Sequence, residues 1–450
     1  MSGAATATPS ALRWLAVPVL AAFALLAIEG GLGGPEPFGF RGADRPAVSL
    51  AGIAKDYPEA LARLDLHLAS ARERAATMDD GWLVHDIAAR AWMWRARLTG
   101  SYDDHEGARA TLERAFARAA PRTGPHMTGA ILAFSMHRLA EAERYLDAID
   151  AYAVPPGAGD RAEMIAMRGD IAFYRGDYAA ALKAYDEADR LVPGTADFRR
   201  AVYYSKTGRL DLAEDYFDKA ERELPFPTPQ ARGRMELQRG ILDLESGRWD
   251  EALAHFNRAD EIFPGFWLIE EHIAEVTALK GHLAGAERRY RGIVRRTGSP
   301  EFMDALAAIA VQRGDAAGAA AWTSRADAIW RKRLKQFPEA AYGHAIDHCV
   351  QKADWSCALA LATRNHQARP YGDAKIALAR ALLHNGRSGE ARTMIEAVLA
   401  SAWNTPALHA VAAEIYAAGG EADKAGRERR LALAMDPHAL DGMRASLPRE

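Results

Sequence analysis

One stretch, from Glu163 to Pro193, constrains this chain more than any other: EMIAMRGDIAFYRGDYAAALKAYDEADRLVP. It reads as two amphipathic helices joined by a tight turn. Gly169 is small where two helices must approach closely, and Gly176-Asp177 marks the turn. Tyr178, Ala181, Tyr185 and Ala188 then recur at helical spacing. Pro193 stops the second helix, since it has no N–H to donate and its ring clashes with the preceding turn. The pattern returns along most of the chain. A helical hairpin of this kind cannot bury its apolar face alone, so its stability has to come from stacked neighbours.

Composition agrees. Hydrophobic residues make up 49% and charged residues 26%. Alanine is abundant while Val, Ile and Thr are sparse, which favours helix over sheet. The net charge of -3 and pI near 6.6 argue against a nucleic-acid partner, which needs a basic excess or stripe. Two cysteines are too few for a disulfide scaffold or a four-thiolate zinc site.

Gly169, Gly176, Tyr178, Ala181, Tyr185, Ala188 and Pro193 resemble one unit of the tetratricopeptide repeat family, whose period is about 34 residues. Tyr204, Gly208, Leu210, Ala213, Phe217, Ala220 and Pro225 resemble a second. Gly240, Gly247, Trp249, Ala252, Phe256, Ala259 and Pro264 resemble a third. Looser units follow around Gly281, Gly314, Trp355, Gly386 and Gly420, and weaker ones precede around Gly100 and Leu139. The sixth unit carries Ala353 where the others have the turn glycine. Residues 52–77 read as a leading helix that caps the array.

The resemblance implies an all-α fold, a right-handed superhelical solenoid of about nine or ten helix pairs, with a concave surface lined by the first helix of each pair. It also implies which residues face that groove: Asp170, Phe173, Tyr174, Phe198, Lys206, Glu245, Glu271, Glu275, Asp304, Asp347 and Arg380, with Glu301 and Glu414 beside them. Such a groove is acidic with apolar ground and suits a partly basic peptide or helix. The terminal-carboxylate clamp of chaperone-tail binders in this family is not supported, because Ala166 and Asp170 stand at its positions.

The N-terminus differs. Trp14 to Ile28, WLAVPVLAAFALLAI, carries no charge and is bounded by Arg13 and Glu29. It reads as a membrane anchor or a signal peptide, with the anchor favoured because the small residues at Gly31-Leu32-Gly33 make a poor cleavage site. Arg13 before the segment and Glu29 and Glu36 after it place the main body on the exported side, periplasmic in a bacterium. The expected order is a lead over 1–13, the anchor or signal over 14–30, and a Gly/Pro-rich linker over 31–52. Divergent helical repeats then cover 53–160, central repeats 161–338, C-terminal repeats 339–440, and a tail 441–450. Two joints interrupt the register: a Pro-rich spacer from Glu223 to Gly233, and a basic extension from Ala328 to Pro338.

Metalloprotease, phosphate-loop, nucleophile-elbow and CxxC motifs are all missing from the sequence, so no catalytic residue, cofactor or metal is expected. Cys349 and Cys357 fall on facing positions across one predicted turn, within reach of a disulfide if the body is exported. The leading functional reading is a non-enzymatic scaffold, tethered or exported, that holds a protein or peptide partner in its groove; envelope assembly, secretion and polysaccharide export are all compatible with it. The alternative is a metal- or cofactor-handling accessory factor that uses His344 and His348, four residues apart on one helix, together with the two cysteines.

Overall fold

The computed structural model describes residues 53–78, 81–224 and 227–441. The expected anchor and linker, Pro225 and all but the first residue of the tail lie outside the described residues. The described chain forms 21 α-helices and no strand. A leading helix α1 (Tyr57–Thr77) is followed by ten hairpins. They are α2 (Trp82–Thr99) with α3 (Tyr102–Phe116), α4 (His126–Ser135) with α5 (Leu139–Asp150), α6 (Ala158–Tyr174) with α7 (Tyr178–Leu191), and α8 (Asp197–Lys206) with α9 (Leu210–Arg222). Then come α10 (Pro229–Glu245) with α11 (Trp249–Ile262), α12 (Trp267–Leu279) with α13 (Leu283–Thr297), and α14 (Pro300–Gln312) with α15 (Ala316–Gln336). The last three are α16 (Pro338–Gln351) with α17 (Trp355–Ala368), α18 (Gly372–His384) with α19 (Ser388–Leu399), and α20 (Pro406–Ala418) with α21 (Ala422–Met435). The fold is an all-α superhelical stack of helical hairpins. No described helix is long and apolar enough to cross a membrane.

Several hairpins close by one device. A small residue on the first helix faces a large one sixteen positions later on the second. A Cβ added at Gly169 would stand 2.6 Å from the Tyr185 ring, so only glycine lets α6 and α7 come this close. Ala201 faces Phe217 and Ala274 faces Tyr290 at the same interval, all four buried. Three of the turns share an aspartate cap. Asp177 caps α7 by accepting from Ala180 N at 3.0 Å, and Asp315 and Asp354 cap α15 and α17 in the same way. Before Asp354 stands Ala353, at φ 54, the left-handed conformation that glycine takes elsewhere. Across this turn Cys349 and Cys357 are bonded, with Sγ–Sγ 1.99 Å and Cα–Cα 5.8 Å.

First and second helices differ in burial. On α14 almost every side chain from Phe302 to Ala310 is buried, whereas α15 buries only Ala319, Ala326, Trp330 and Arg333. First helices therefore make an inner layer and second helices an outer one. One continuous apolar core runs from Ala60 to Ala425.

The superhelix also closes on itself. Residues about one superhelical turn apart touch. Tyr57 N donates to Pro264 O at 3.1 Å, and Trp267 Nε1 to Leu98 O at 2.7 Å. Gly372 N donates to the Tyr178 hydroxyl at 2.9 Å, and Asn404 N to Lys206 O at 2.9 Å. Near the far end Trp249 stacks on His438 at 3.7 Å. The basic run at the end of α15 acts at such a joint. Lys332 Nζ lies 2.8 Å from both Asp103 carboxylate oxygens, Gln336 Nε2 donates to Asp103 at 2.9 Å, and the Arg333 guanidinium sits 4.4 Å over the Tyr102 ring. What reads locally as an overlong basic helix is a clamp between turns.

Candidate inner-face interaction site

All eleven expected groove residues lie on first helices, from α6 to α18. Eight of them are buried within the protein. Phe173 packs between Tyr178 at 5.5 Å and Trp403 at 5.7 Å, Tyr174 against Tyr371 at 5.2 Å, and Phe198 against Phe217 at 5.6 Å. The polar members are tied into ion pairs. Asp170 accepts from Arg199 Nε at 2.8 Å and from the Tyr185 hydroxyl at 2.9 Å. Arg199 also reaches both Glu163 oxygens, at 2.5 and 3.3 Å, and donates to Thr195 O at 3.0 Å. Lys206 donates to Glu245 at 2.6 Å, and Arg380 to Glu414 at 3.2 Å. Asp304 accepts from Trp330 Nε1 at 2.9 Å and bonds His348 Nδ1 at 2.7 Å.

What stays within reach of solvent is a row of carboxylates. Glu245, Glu271, Glu301, Asp347, Asp373 and Glu414 are each half-buried, one on each first helix from α10 to α20. Burial raises the pKa of several of them. Asp373 is pushed up to about 6 and Glu271 to about 7, chiefly by desolvation. Asp347 is held well above the usual carboxylate range by burial and by the nearby Asp304. Glu245, Glu301 and Glu414 are paired with Lys206, Arg333 and Arg380, and these bonds hold Glu414 below its usual pKa despite burial. A positive group brought to this face would therefore act on Glu271, Asp347 and Asp373, whose charge burial suppresses.

Sequence reading passed over two features. His272, between the expected Glu271 and Glu275, points its Nδ1 at both carboxylates, 3.3 and 3.1 Å away. Asp373 sits outside the positions carried over from the repeat pattern. A search for acids at matching heights on successive first helices would have found it.

In the His344/His348/cysteine cluster, His348 and the two sulfurs are already engaged. Both nitrogens of His348 are engaged, Nδ1 with Asp304 and Nε2 with Asp327 at 2.8 Å. Burial opposes the charge on His348, but these bonds outweigh it and hold its pKa up. His344 lies 6.1 Å from the Trp330 ring, near stacking, and the two sulfurs are bonded to each other.

Residues 166–226 match the tetratricopeptide repeat family. These are the residues of α6 to α9 in which the small-to-aromatic spacing is most regular. No curated protein matches the chain. Among solved structures, yeast Tom70 is 15% identical and aligns over 87% of this chain and 91% of its own, with a TM-score of 0.42. A tetratricopeptide repeat protein from Parabacteroides merdae is 17% identical over 53% of this chain and 91% of its own, with a TM-score of 0.34. Human IFIT1, solved as a dimer with m7Gppp-AAAA, is 14% identical over 75% of this chain and 94% of its own, also with a TM-score of 0.34.

Proposed function

We propose that this chain is a non-enzymatic scaffold, and that its tetratricopeptide-type inner face holds a basic segment of a protein partner. One observation carries the reading: the ladder of half-buried carboxylates from Glu245 to Glu414, one per first helix, several held above their usual pKa by burial. A cationic segment running along the axis meets Glu271, Asp347 and Asp373 on α12, α16 and α18, the members of the row not already paired with Lys206, Arg333 or Arg380. The test probe is a labelled peptide of alternating Lys and Leu, set against its Glu and Leu counterpart. The basic peptide is expected to bind, and to bind more weakly as salt rises. Asp347→Asn with Asp373→Asn should weaken it on the order of tenfold, one step of about 1.4 kcal/mol. Equal binding of the acidic peptide, or no loss in the double variant, rejects the reading.

In the same proposal the scaffold works at a membrane, anchored through residues 14–30 with its body exported, or released there after cleavage. Two features support this. Trp14 to Ile28 is an uncharged apolar run, and the Cys349–Cys357 bond is of the kind that persists in oxidising compartments. Maleimide labelling in intact and lysed cells checks it. The expected outcome is two cysteines that label only after reduction; labelling without reductant places the body in a reducing compartment.

A further inference from the structure

On α12, the inner helix of the sixth hairpin, three side chains converge: Glu271, His272 and Glu275. His272 Nδ1 lies 3.3 Å from Glu271 Oε2 and 3.1 Å from Glu275 Oε2, and one donor atom from each residue falls within 4.8 Å of the others. We propose that these three residues form a binding site for one divalent transition-metal ion of the zinc class.

The spacing carries the first part of the argument. Zinc binds imidazole nitrogen and carboxylate oxygen at about 2.0–2.2 Å, so neighbouring ligands around a tetrahedral ion stand roughly 3.4 Å apart. The two nitrogen–oxygen separations are close to that. A single proton on Nδ1 can bridge to only one of the two oxygens at a time, whereas an ion placed between them serves both. One imidazole with two carboxylates also suits a borderline ion better than magnesium or calcium, which prefer all-oxygen shells.

The second part is what the cluster leaves unused. Glu275 is 3% exposed and its Oε1 has no hydrogen-bond partner. Buried polar atoms of this kind are rare in native structures and ask for an explanation. His272, 2% exposed, turns Nδ1 to Glu271 and Glu275, while its Nε2 points away from the carboxylates and takes no part in the site. Two carboxylates, Glu271 and Glu275, stand against one imidazole, and the more distant Glu245 and Glu301 are paired with Lys206 and Arg333. A divalent cation neutralises that crowding. The ring is oriented by stacking on Phe256, with centroids 5.0 Å apart and planes 15° apart, which presents Nδ1 to the carboxylates. Glu271 is half-buried, so an ion can enter from the inner face.

The site shares Glu271 with the carboxylate row, but its test uses zinc without any peptide and leaves Asp347 and Asp373 untouched, so the failure of one reading is distinguishable from the failure of the other. The full chain, stripped with a chelator, is titrated with Zn2+ by calorimetry and by competition with a zinc indicator. One equivalent is expected to bind with a Kd of micromolar or tighter, to release protons, and to raise the thermal midpoint. His272→Gln and Glu275→Gln should each weaken binding at least tenfold and abolish the thermal shift, while excess Mg2+ leaves the zinc isotherm unchanged. Glu275→Gln preserves shape and is expected to keep the wild-type helical content by circular dichroism, so it decides alone if His272→Gln misfolds. Absence of a stoichiometric site, or a folded Glu275→Gln that binds zinc as wild type does, overturns the proposal.

Discussion

Replacing Arg199 with Met should cost the fold about 3–5 kcal/mol, more than removal of any exposed ion pair. Arg199 is fully enclosed and is the cation facing both Glu163 and Asp170, which lie on the preceding hairpin. Deleting it leaves two carboxyls in a dry interface with only the Tyr185 hydroxyl donating to Asp170. The effect depends on pH, and its sign is set by the two acids. Burial already raises the pKa of both Glu163 and Asp170 in the folded chain, against the pull of Arg199. A carboxyl with a raised folded pKa contributes stability that is present below its unfolded value and lost as pH rises through the folded one. Without Arg199 both values climb further, so the penalty is largest at neutral pH and shrinks as the solution is acidified through them. Urea unfolding of the variant at pH 7 and pH 5 measures this. A loss under 1 kcal/mol at pH 7, or a loss that grows on acidification, contradicts it.

The second large effect is expected at Trp403. This side chain is 2% exposed and packs against Phe173 at 5.7 Å, Tyr178 at 5.7 Å and Tyr371 at 5.8 Å. It thus joins the hairpin of α6 and α7 to helices more than 190 residues further on. Gly372 lies directly beneath the indole and leaves no space for a side chain. Trp403→Ala should cost about 3–5 kcal/mol at this joint, the usual range for emptying a buried aromatic site. In a stacked array that loss is local. Hydrogen exchange should therefore speed up at Gly372 N and Asn404 N, which bond across the joint, and stay near wild type within α10 and α11. Uniform loss of protection along the chain, or none at the joint, refutes this picture.

The two effects mark the line between what the sequence discloses and what it does not. Hairpin boundaries could be read because their determinants are local. Gly169 and Tyr185, or Ala201 and Phe217, are sixteen residues apart and repeat with the module. The reach between Cys349 and Cys357 was visible for the same reason, since both flank one turn. Closure of the superhelix was not. It depends on Trp403, His438, Asp103 and Lys332, which occupy no repeated position and find partners about 170–230 residues away. The environment of the groove positions has a nearer source, the next hairpin in the stack. Asp170 and Asp304 are groove positions by repeat register. Their neutralising partners, Arg199 and His348, come from following hairpins and not from a bound peptide. His272 escaped notice because one histidine between two glutamates is unremarkable on a helix until the ring's orientation is known.

Contacts between successive coils have a kinetic consequence. Where windings of a spring touch, a guest chain would enter through an open end or wait for those contacts to part. Parting them disturbs the seam at Tyr178, Lys206 and Trp249. For the basic segment proposed above, association with the inner face would then be paced by how often that seam breathes rather than by diffusion, and release would be slow for the same reason.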